Sequence, residues 1–305
     1  MYKDKTILIT GGTGSFGQAM TERLLQEEVK EIRIFSRNEK NQWEMKKKFN
    51  DSRLKFIIGD IKEYNAVNKA VENVDYVFHS AALKHVLICQ ENPFEAINTN
   101  VLGSENVILA SIKNKVEKLV CLSTDKSANA STTYGSTKYL MECMCKDIDS
   151  KDTKIILTRY GNVLGSSGSI IPLFKELKRQ NKPLTITNRN NTRFFMQMHE
   201  AIDLVLYALE NGNNKDMFVY NNKSADVGMV ADCISDNQII IGSECIEKTD
   251  EALLTVSELN HSELADNYFR INENIKSNIK YTDSLTSDNA PKFNKEELKT
   301  IIDSL

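Results

Sequence analysis

The chain reads as an α/β protein: a doubly wound parallel sheet of the Rossmann type, followed by a small C-terminal lobe. Three observations predict this. Strand-like and helix-like runs alternate up to Ile155-Ile156-Leu157, which is the pattern of a parallel sheet covered on both faces. A glycine-rich turn, Thr10-Gly11-Gly12-Thr13-Gly14-Ser15-Phe16-Gly17, follows the first apolar run. Beyond Gly161 the alternation loosens into loops and short elements.

The first strand is Thr6-Ile7-Leu8-Ile9, and the helix after the turn presents Ala19, Met20, Leu24 and Leu25 on one face. Strand, turn and amphipathic helix together form a dinucleotide fingerprint. Gly11, Gly14 and Gly17 permit unusual torsions, a close approach of backbone amides to a pyrophosphate, and tight helix–strand packing. The helix N-terminus then faces the phosphates with its positive end. Glu31-Ile32-Arg33-Ile34-Phe35 is the second strand, ending at Ser36-Arg37-Asn38. An acidic residue for a ribose 2′-hydroxyl is missing there. Arg37 can instead pair with a 2′-phosphate, so NADP is the expected cofactor. Leu54 to Ile61 forms the third strand, with Asp60 placed to accept from an adenine amino group. Asp75 to Ala82 forms the fourth, and Ala81 and Ala82 leave room for a nicotinamide ribose.

Lys118-Leu119-Val120-Cys121-Leu122-Ser123 is the fifth strand and Ile155-Ile156-Leu157 the sixth. The helix Ile170 to Gln180, the strand Leu184 to Thr187, the helix His199 to Asn211 and the strand Met217 to Tyr220 follow. From Asn222 onward the chain is rich in Asn, Ser, Asp and Glu and reads as an irregular lobe capping the carboxyl ends of the sheet, where such folds bind ligands. Residues 1–165, rejoined by 195–221, are the expected cofactor domain. Residues 166–194 and 222–305 are the expected substrate-binding lobe.

With 305 residues the chain can bury a sizeable core. A net charge of −3 argues against a nucleic-acid surface. No apolar stretch approaches the roughly 20 residues of a membrane span, and no secretory segment precedes the first strand, so a soluble, cytoplasmic protein is expected. The six cysteines lack metal-ligand spacing. Cys143 and Cys145 lie in a helical pattern that points their thiols apart, so no metal site is expected.

The chemistry sits after the fifth strand, where Ser123 runs into Thr124-Asp125-Lys126 and then Tyr134-Gly135-Ser136-Thr137-Lys138. Tyr134 and Lys138, at i and i+4, share a helix face. An ammonium there can lower the phenol toward neutrality and hold a nicotinamide ribose. A phenolate so activated takes a hydroxyl proton as hydride leaves the same carbon.

The glycine turn, Tyr134 with Lys138, and the chain length resemble the extended short-chain dehydrogenase/reductase superfamily. More closely, five segments resemble the inverting UDP-N-acetylglucosamine 4,6-dehydratases: Phe35-Ser36-Arg37-Asn38-Glu39-Lys40, Ala81-Ala82-Leu83-Lys84-His85-Val86, Asn98-Thr99-Asn100-Val101-Leu102-Gly103, Ser123-Thr124-Asp125-Lys126 and Arg159-Tyr160-Gly161-Asn162-Val163. The likeness runs almost continuously to about residue 220. The Asp125-Lys126 pair is its discriminating part, since retaining dehydratases of the superfamily carry Asp-Glu there and 4-epimerases generally have no such pair. The resemblance implies a tightly bound, recycled NADP held by the glycine turn with Ser36, Arg37, Asn38, Lys40, Asp60, Ile61, Ala81, Ala82, Lys84, Leu122, Ser123, Tyr134 and Lys138. It implies catalysis by Thr124, Asp125, Lys126, Tyr134 and Lys138, and UDP-N-acetylglucosamine held by Lys84, Asn162, Ser169, Ile170 and Arg193.

In that reaction oxidation at C4 acidifies the C5 proton. Lys126, made basic by low-dielectric surroundings and nearby Lys138, would take it while Asp125 protonates the departing O6 hydroxyl. Hydride then returns to C6, and reprotonation of C5 from the other face inverts the sugar to UDP-2-acetamido-2,6-dideoxy-β-L-arabino-hexos-4-ulose. A homo-oligomer, dimer or higher, is also implied. Two departures stand out. Ser167 replaces a usual Arg, and Glu244-Cys245-Ile246-Glu247-Lys248 replaces an Arg-x-Gly-Glu-Lys segment. Some members with the most similar tail carry Met where this chain has Tyr134. Two other readings stay open: a UDP-sugar 4-epimerase, which would leave Asp125 and Lys126 idle, and a non-catalytic NADP-binding protein.

Overall fold

The computed structural model describes residues 1–242 and 247–305. Six parallel strands carry the first half: β1 (Thr6–Thr10), β2 (Glu31–Ser36), β3 (Leu54–Ile58), β4 (Tyr76–His79), β5 (Lys118–Thr124) and β6 (Lys154–Tyr160). The nine-stranded main sheet runs in the spatial order Ser262–Ala265, Tyr268–Ile271, Met217–Tyr220, β6, β5, β4, β1, β2, β3. The chain winds outward through β2 and β3 on one side of β1 and through β4 to β6 on the other. This reversal opens a crevice at the carboxyl ends of β1 and β4, the place where doubly wound sheets bind ligands.

The central strands are apolar throughout because helices cover both faces. Alternation then sorts their side chains. Leu8, Val77, Leu119 and Cys121 point into one buried cluster, while Ile7, Ile9, Phe78, Val120 and Leu122 point into the other. β1 and β2 run in register from Thr6 opposite Glu31 to Thr10 opposite Phe35, so the glycine turn leaves the sheet level with Ser36 and Arg37.

The third strand is shorter than the sequence suggests, ending at Ile58. Gly59 to Ile61 already belong to the turn that carries Asp60. The lobe has a core of its own, built from Leu164, Ile171, Phe174, Leu184, Phe195, Val230, Phe293 and Leu298 among others. It holds a three-stranded sheet of Lys223–Asp226, Thr192–Met196 and Asn162–Val163. The expected boundaries need correction: Asn162–Val163, Leu164 and Phe195, expected in the cofactor domain, belong to this lobe. Residues 222–305 are not all lobe: Ser262–Ala265 and Tyr268–Ile271 form an antiparallel hairpin that extends the main sheet beyond Met217–Tyr220. Phe269 and Ile271 bury on the sheet face while Tyr268 stacks on Tyr207, so an alternating strand pattern lies inside a polar segment. Among the described residues, no helix is long and apolar enough to cross a membrane.

Candidate active site

At the switch point the glycine turn touches the neighbouring strands. Gly11 has φ +68°, and a Cβ there would lie 2.9 Å from Ala81 Cα. At Gly17 a Cβ would come 2.4 Å from the carbonyl oxygen of Gly12, which fixes how closely the helix Ser15–Leu24 meets the turn. Gly14 caps that helix without a side-chain hydrogen bond, and its first turn holds no acidic residue. The free N–H groups and the positive helix end therefore face the crevice unopposed.

A cavity of about 620 Å³ opens from this turn. On its nucleotide side it is lined by Gly11, Thr13, Gly14, Ser15, Phe16 and Gly17, by Ser36, Arg37 and Asn38, and by Asp60, Ile61, Ala81 and Ala82. Leu122, Ser123, Thr124, Lys126, Tyr134 and Lys138 form the far wall, with Lys84, Asn162 and Ser169 closing it. Arg37 lies 3.7 Å from Asp60 across the mouth.

Five expected residues do not line the cavity. Gly12 sits behind the turn, where a Cβ would press on Ile34 at 2.8 Å. Lys40 is exposed and pairs with Glu44 at 3.8 Å. Ile170 packs against the lobe core. Arg193 donates to the backbone oxygens of Thr192, Lys248 and Thr249 and lies 3.4 Å from Glu247, so it buttresses the segment 247–249 rather than presenting a cationic fork. Asp125 lies fully buried behind Lys126. Glu244 lies outside the described residues.

Ser167, where the resemblance leads to an expected arginine, lines the cavity through its loop. Its carbonyl accepts from Lys84 Nζ at 2.6 Å and its N–H donates to Ser15 Oγ at 3.2 Å. Lys84 thereby straps the loop 165–169 across the glycine turn. Gly168, at φ +74°, packs so close to His85 that a Cβ would lie 2.3 Å from the ring.

The acid–base groups come from the end of β5 and the helix Thr133–Asp147. Thr124 Oγ1 donates to Asp125 Oδ1 at 3.0 Å, and Lys126 Nζ donates to the same oxygen at 3.0 Å. Glu251, just before the strand Ala252–Leu254, approaches Lys126 from the other side at 3.6 Å. Burial alone would pull the lysine down, but the Asp125 and Glu251 carboxylates outweigh it and hold the pKa well above the ordinary value. Lys126 is thus an ammonium at rest, not the ready base that the sequence suggests.

Tyr134 also departs from expectation. Desolvation pushes its phenol up to about 12, and the groups that pull it back are Lys126 and the Thr124 hydroxyl rather than Lys138. Lys138 is lowered by burial to about 8 and donates to Met141 Sδ. A thioether is a weak acceptor, so its remaining donors stay available.

Two residues to which the sequence reading gave no role contact the site's walls. Asn100 sits in a single π-helical turn, Asn98–Leu102; its side chain brackets Leu83 through N–H and C=O and donates to Thr137 Oγ1 at 3.0 Å. It locks the Ala81–Lys84 loop onto the helix that carries Tyr134. Glu251 is the other.

The polysaccharide biosynthesis protein family model matches residues 7–273. The chain is 41% identical, over 99% of its length and 96% of the relative's, to a protein named UDP-glucose 4-epimerase in Rickettsia rickettsii (strain Sheila Smith). The X-ray structure of Pen from Bacillus thuringiensis superimposes with a TM-score of 0.95 at 34% identity, covering 100% of this chain and 98% of that one. DesIV, a dTDP-glucose 4,6-dehydratase from Streptomyces venezuelae, shares the fold at 18% identity and a TM-score of 0.73, over 80% and 86% of the two chains.

Proposed function

This chain belongs to the polysaccharide biosynthesis protein family, and from that membership and the cavity we propose that it is an inverting UDP-N-acetylglucosamine 4,6-dehydratase. The observation that carries the reading is Lys126 on the cavity wall, backed by Asp125 and Glu251, beside Tyr134. An enzyme that only oxidises and re-reduces C4 needs no such charged unit.

The residues fit a dinucleotide. Gly11 and Gly17 leave no space for a side chain, the helix Ser15–Leu24 points open N–H groups at the cavity, and Arg37 waits at the end of β2 for a 2′-phosphate. A bound NADP supplies hydride acceptance from C4 and hydride return to C6. Tyr134 is placed to take the O4 proton as a phenolate, the form that the positive charge of Lys126 and the Thr124 hydroxyl favour against the burial that otherwise keeps the phenol protonated. Lys138 offers its free donors to the ribose. Lys126 then takes the C5 proton, and the Asp125–Lys126 pair delivers a proton to O6 as the C6–O6 bond breaks. Because Asp125 meets the cavity only through Thr124 and Lys126, the pair acts as one acid–base unit. Lys84, Asn162 and Ser169 face the sugar nucleotide. Ser169 Oγ is buried without a protein partner at the N-terminus of the helix Ile170–Arg179, a position suited to a diphosphate oxygen.

A 4-epimerase is the second reading, favoured by the name of the Rickettsia relative. Incubation of the purified protein with UDP-N-acetylglucosamine in D2O separates the two by proton NMR. A 6-methyl signal with deuterium at C5 and an L-configured ring supports the inverting dehydratase. UDP-N-acetylgalactosamine without a methyl signal replaces it with the epimerase.

A further inference from the structure

We propose that Glu251 is a positioning residue of the acid–base unit: the lobe's counter-ion to Lys126, which holds the lysine against Asp125 and faces its charge when the C5 proton arrives. The proposal rests on the dehydratase reading for its chemical step.

Lys126 Nζ lies between two carboxylates from different parts of the fold, 3.0 Å from Asp125 Oδ1 at the end of β5 and 3.6 Å from Glu251 Oε1 in the lobe. Glu251 is only 5% exposed, and both carboxylates keep one buried oxygen, Asp125 Oδ2 and Glu251 Oε2, without a hydrogen-bond partner. An unpaired buried carboxylate oxygen is costly.

The mount of Glu251 is rigid. Its N–H donates to Ser287 Oγ at 2.9 Å, its carbonyl accepts from the Ser287 N–H at 2.8 Å, and Ser287 Oγ bridges to Thr192. The other charged and titratable groups facing the unit are Lys248, 3.8 Å from Glu251 Oε2, then Tyr134, and Arg193, which is engaged by Glu247 and three carbonyls. Asp125, Lys126 and Glu251 together carry one excess negative charge, which one added proton neutralises.

This arrangement resolves how a resting ammonium becomes a base. Its proton crosses the 3.0 Å hydrogen bond to Asp125, giving Lys126 amine and Asp125 carboxylic acid with no change in net charge. The C5–H bond then breaks toward Nζ, C5=C6 forms, and C6–O6 breaks as the Asp125 acid proton reaches O6 through the pair, releasing water. Lys126 ends as an ammonium and Asp125 as a carboxylate, as they began. Glu251 stays ionised throughout and stabilises the ammonium as it re-forms.

The test follows the Lys126 side chain by NMR in lysine-labelled full-length protein, assigned by loss of its signal in Lys126→Arg, and compares wild type with Glu251→Gln. Lys126 is expected to titrate about one pH unit or more lower in the variant, a tenfold change in its proton affinity. The alkaline limb of the dehydration rate, where the Asp125–Lys126 pair loses its one proton, should move down by the same amount, while Glu251→Asp restores part of the wild-type profile. Unchanged Lys126 titration in Glu251→Gln overturns the proposal. So does a wild-type Lys126 titrating at or below the ordinary lysine value, a result that needs no folded variant. If wild type yields no 6-methyl product while the titration shifts, the dehydratase reading fails and the Glu251–Lys126 coupling stands by itself.

Discussion

Arg159 and Glu142 meet as a two-pronged ion pair beneath the cavity, Nε to Oε1 at 3.0 Å and Nη2 to Oε2 at 2.6 Å, each side chain 1% exposed. Arg159 comes from β6, Glu142 from the helix that carries Tyr134, and Glu258 of the lobe adds a second fork at 2.8 and 2.9 Å. Ser127 Oγ lies 2.6 Å from both Glu142 Oε1 and the Thr124 carbonyl, so the network holds the segment that bears Asp125 and Lys126. Removing one partner strands buried charge. Arg159→Met, which orphans two carboxylates, should cost about 3–5 kcal/mol in urea unfolding, more than Glu258→Gln, whose site is less buried. Equal, small losses would mean that the network carries little of the fold.

The same network predicts an acid limit. Burial raises the Glu258 carboxyl, but Arg159 outweighs it and holds the group down at about 2; Glu142 is lowered in the same sense. A carboxylate depressed in the folded state binds fewer protons there than in the unfolded chain, so stability rises with pH across the window. Glu258 should contribute on the order of 3 kcal/mol above the unfolded value near 4.5, lost as pH falls toward 2. Urea unfolding at stepped pH checks this: the wild-type acid slope should flatten in Glu258→Gln.

Much of this was legible in the sequence, for physical reasons. The sheet followed from central strands apolar on both faces, and the nucleotide end of the cavity from a glycine turn whose spacing is dictated by backbone contact, as Gly11 against Ala81 shows. What failed depends on distance in space rather than along the chain. The charge around Lys126 comes not only from its neighbour Asp125 but also from Glu251, 125 residues away in sequence but 3.6 Å away in the fold. Arg193 was expected, from the resemblance, to hold the sugar nucleotide, yet its guanidinium is taken up by segment 247–249. The hairpin ending at Ile271 was hidden by short strands in a polar stretch.

Tyr134 and Lys126 should fail at different steps. Tyr134→Phe removes the group for the O4 proton and should stop the reaction before any hydride moves. Lys126→Met keeps Tyr134 but removes a charge that aids it, so it should still reduce bound NADP with UDP-N-acetylglucosamine, more slowly, seen by reduced-nicotinamide fluorescence, while losing product by roughly 100-fold or more. Full 4-epimerisation by Lys126→Met would assign the pair to structure alone.

Arg37 lies 55% exposed at the cavity mouth, 3.7 Å from Asp60. So exposed a pair is worth little by itself, which leaves the guanidinium free to turn to a 2′-phosphate. Arg37→Ala should weaken NADP by about 10- to 100-fold, the worth of a charge-assisted hydrogen bond, and leave NAD unchanged. Calorimetric titration of both cofactors decides it; equal losses would remove Arg37 from cofactor choice.

Gly17 and Gly14 make a matched pair for testing the phosphate cradle. A Cβ at Gly17 would stand 2.4 Å from Gly12 O and 2.5 Å from Gly12 Cα, all backbone atoms, whereas at Gly14, with φ −74°, it would meet only Gly11 O at 3.2 Å. Backbone cannot swing aside as a side chain can, so Gly17→Ala must push the helix away from the turn and carry its N–H groups out of position. Gly14→Ala asks for a few tenths of an ångström. Dinucleotide affinity should therefore fall more than tenfold in Gly17→Ala and only slightly in Gly14→Ala. Both should keep the central sheet, whose buried strands lie on the far side of the turn, so far-ultraviolet circular dichroism should match wild type. Comparable affinities in the two variants would show that the closeness of helix to turn at Gly17 does not set the cradle.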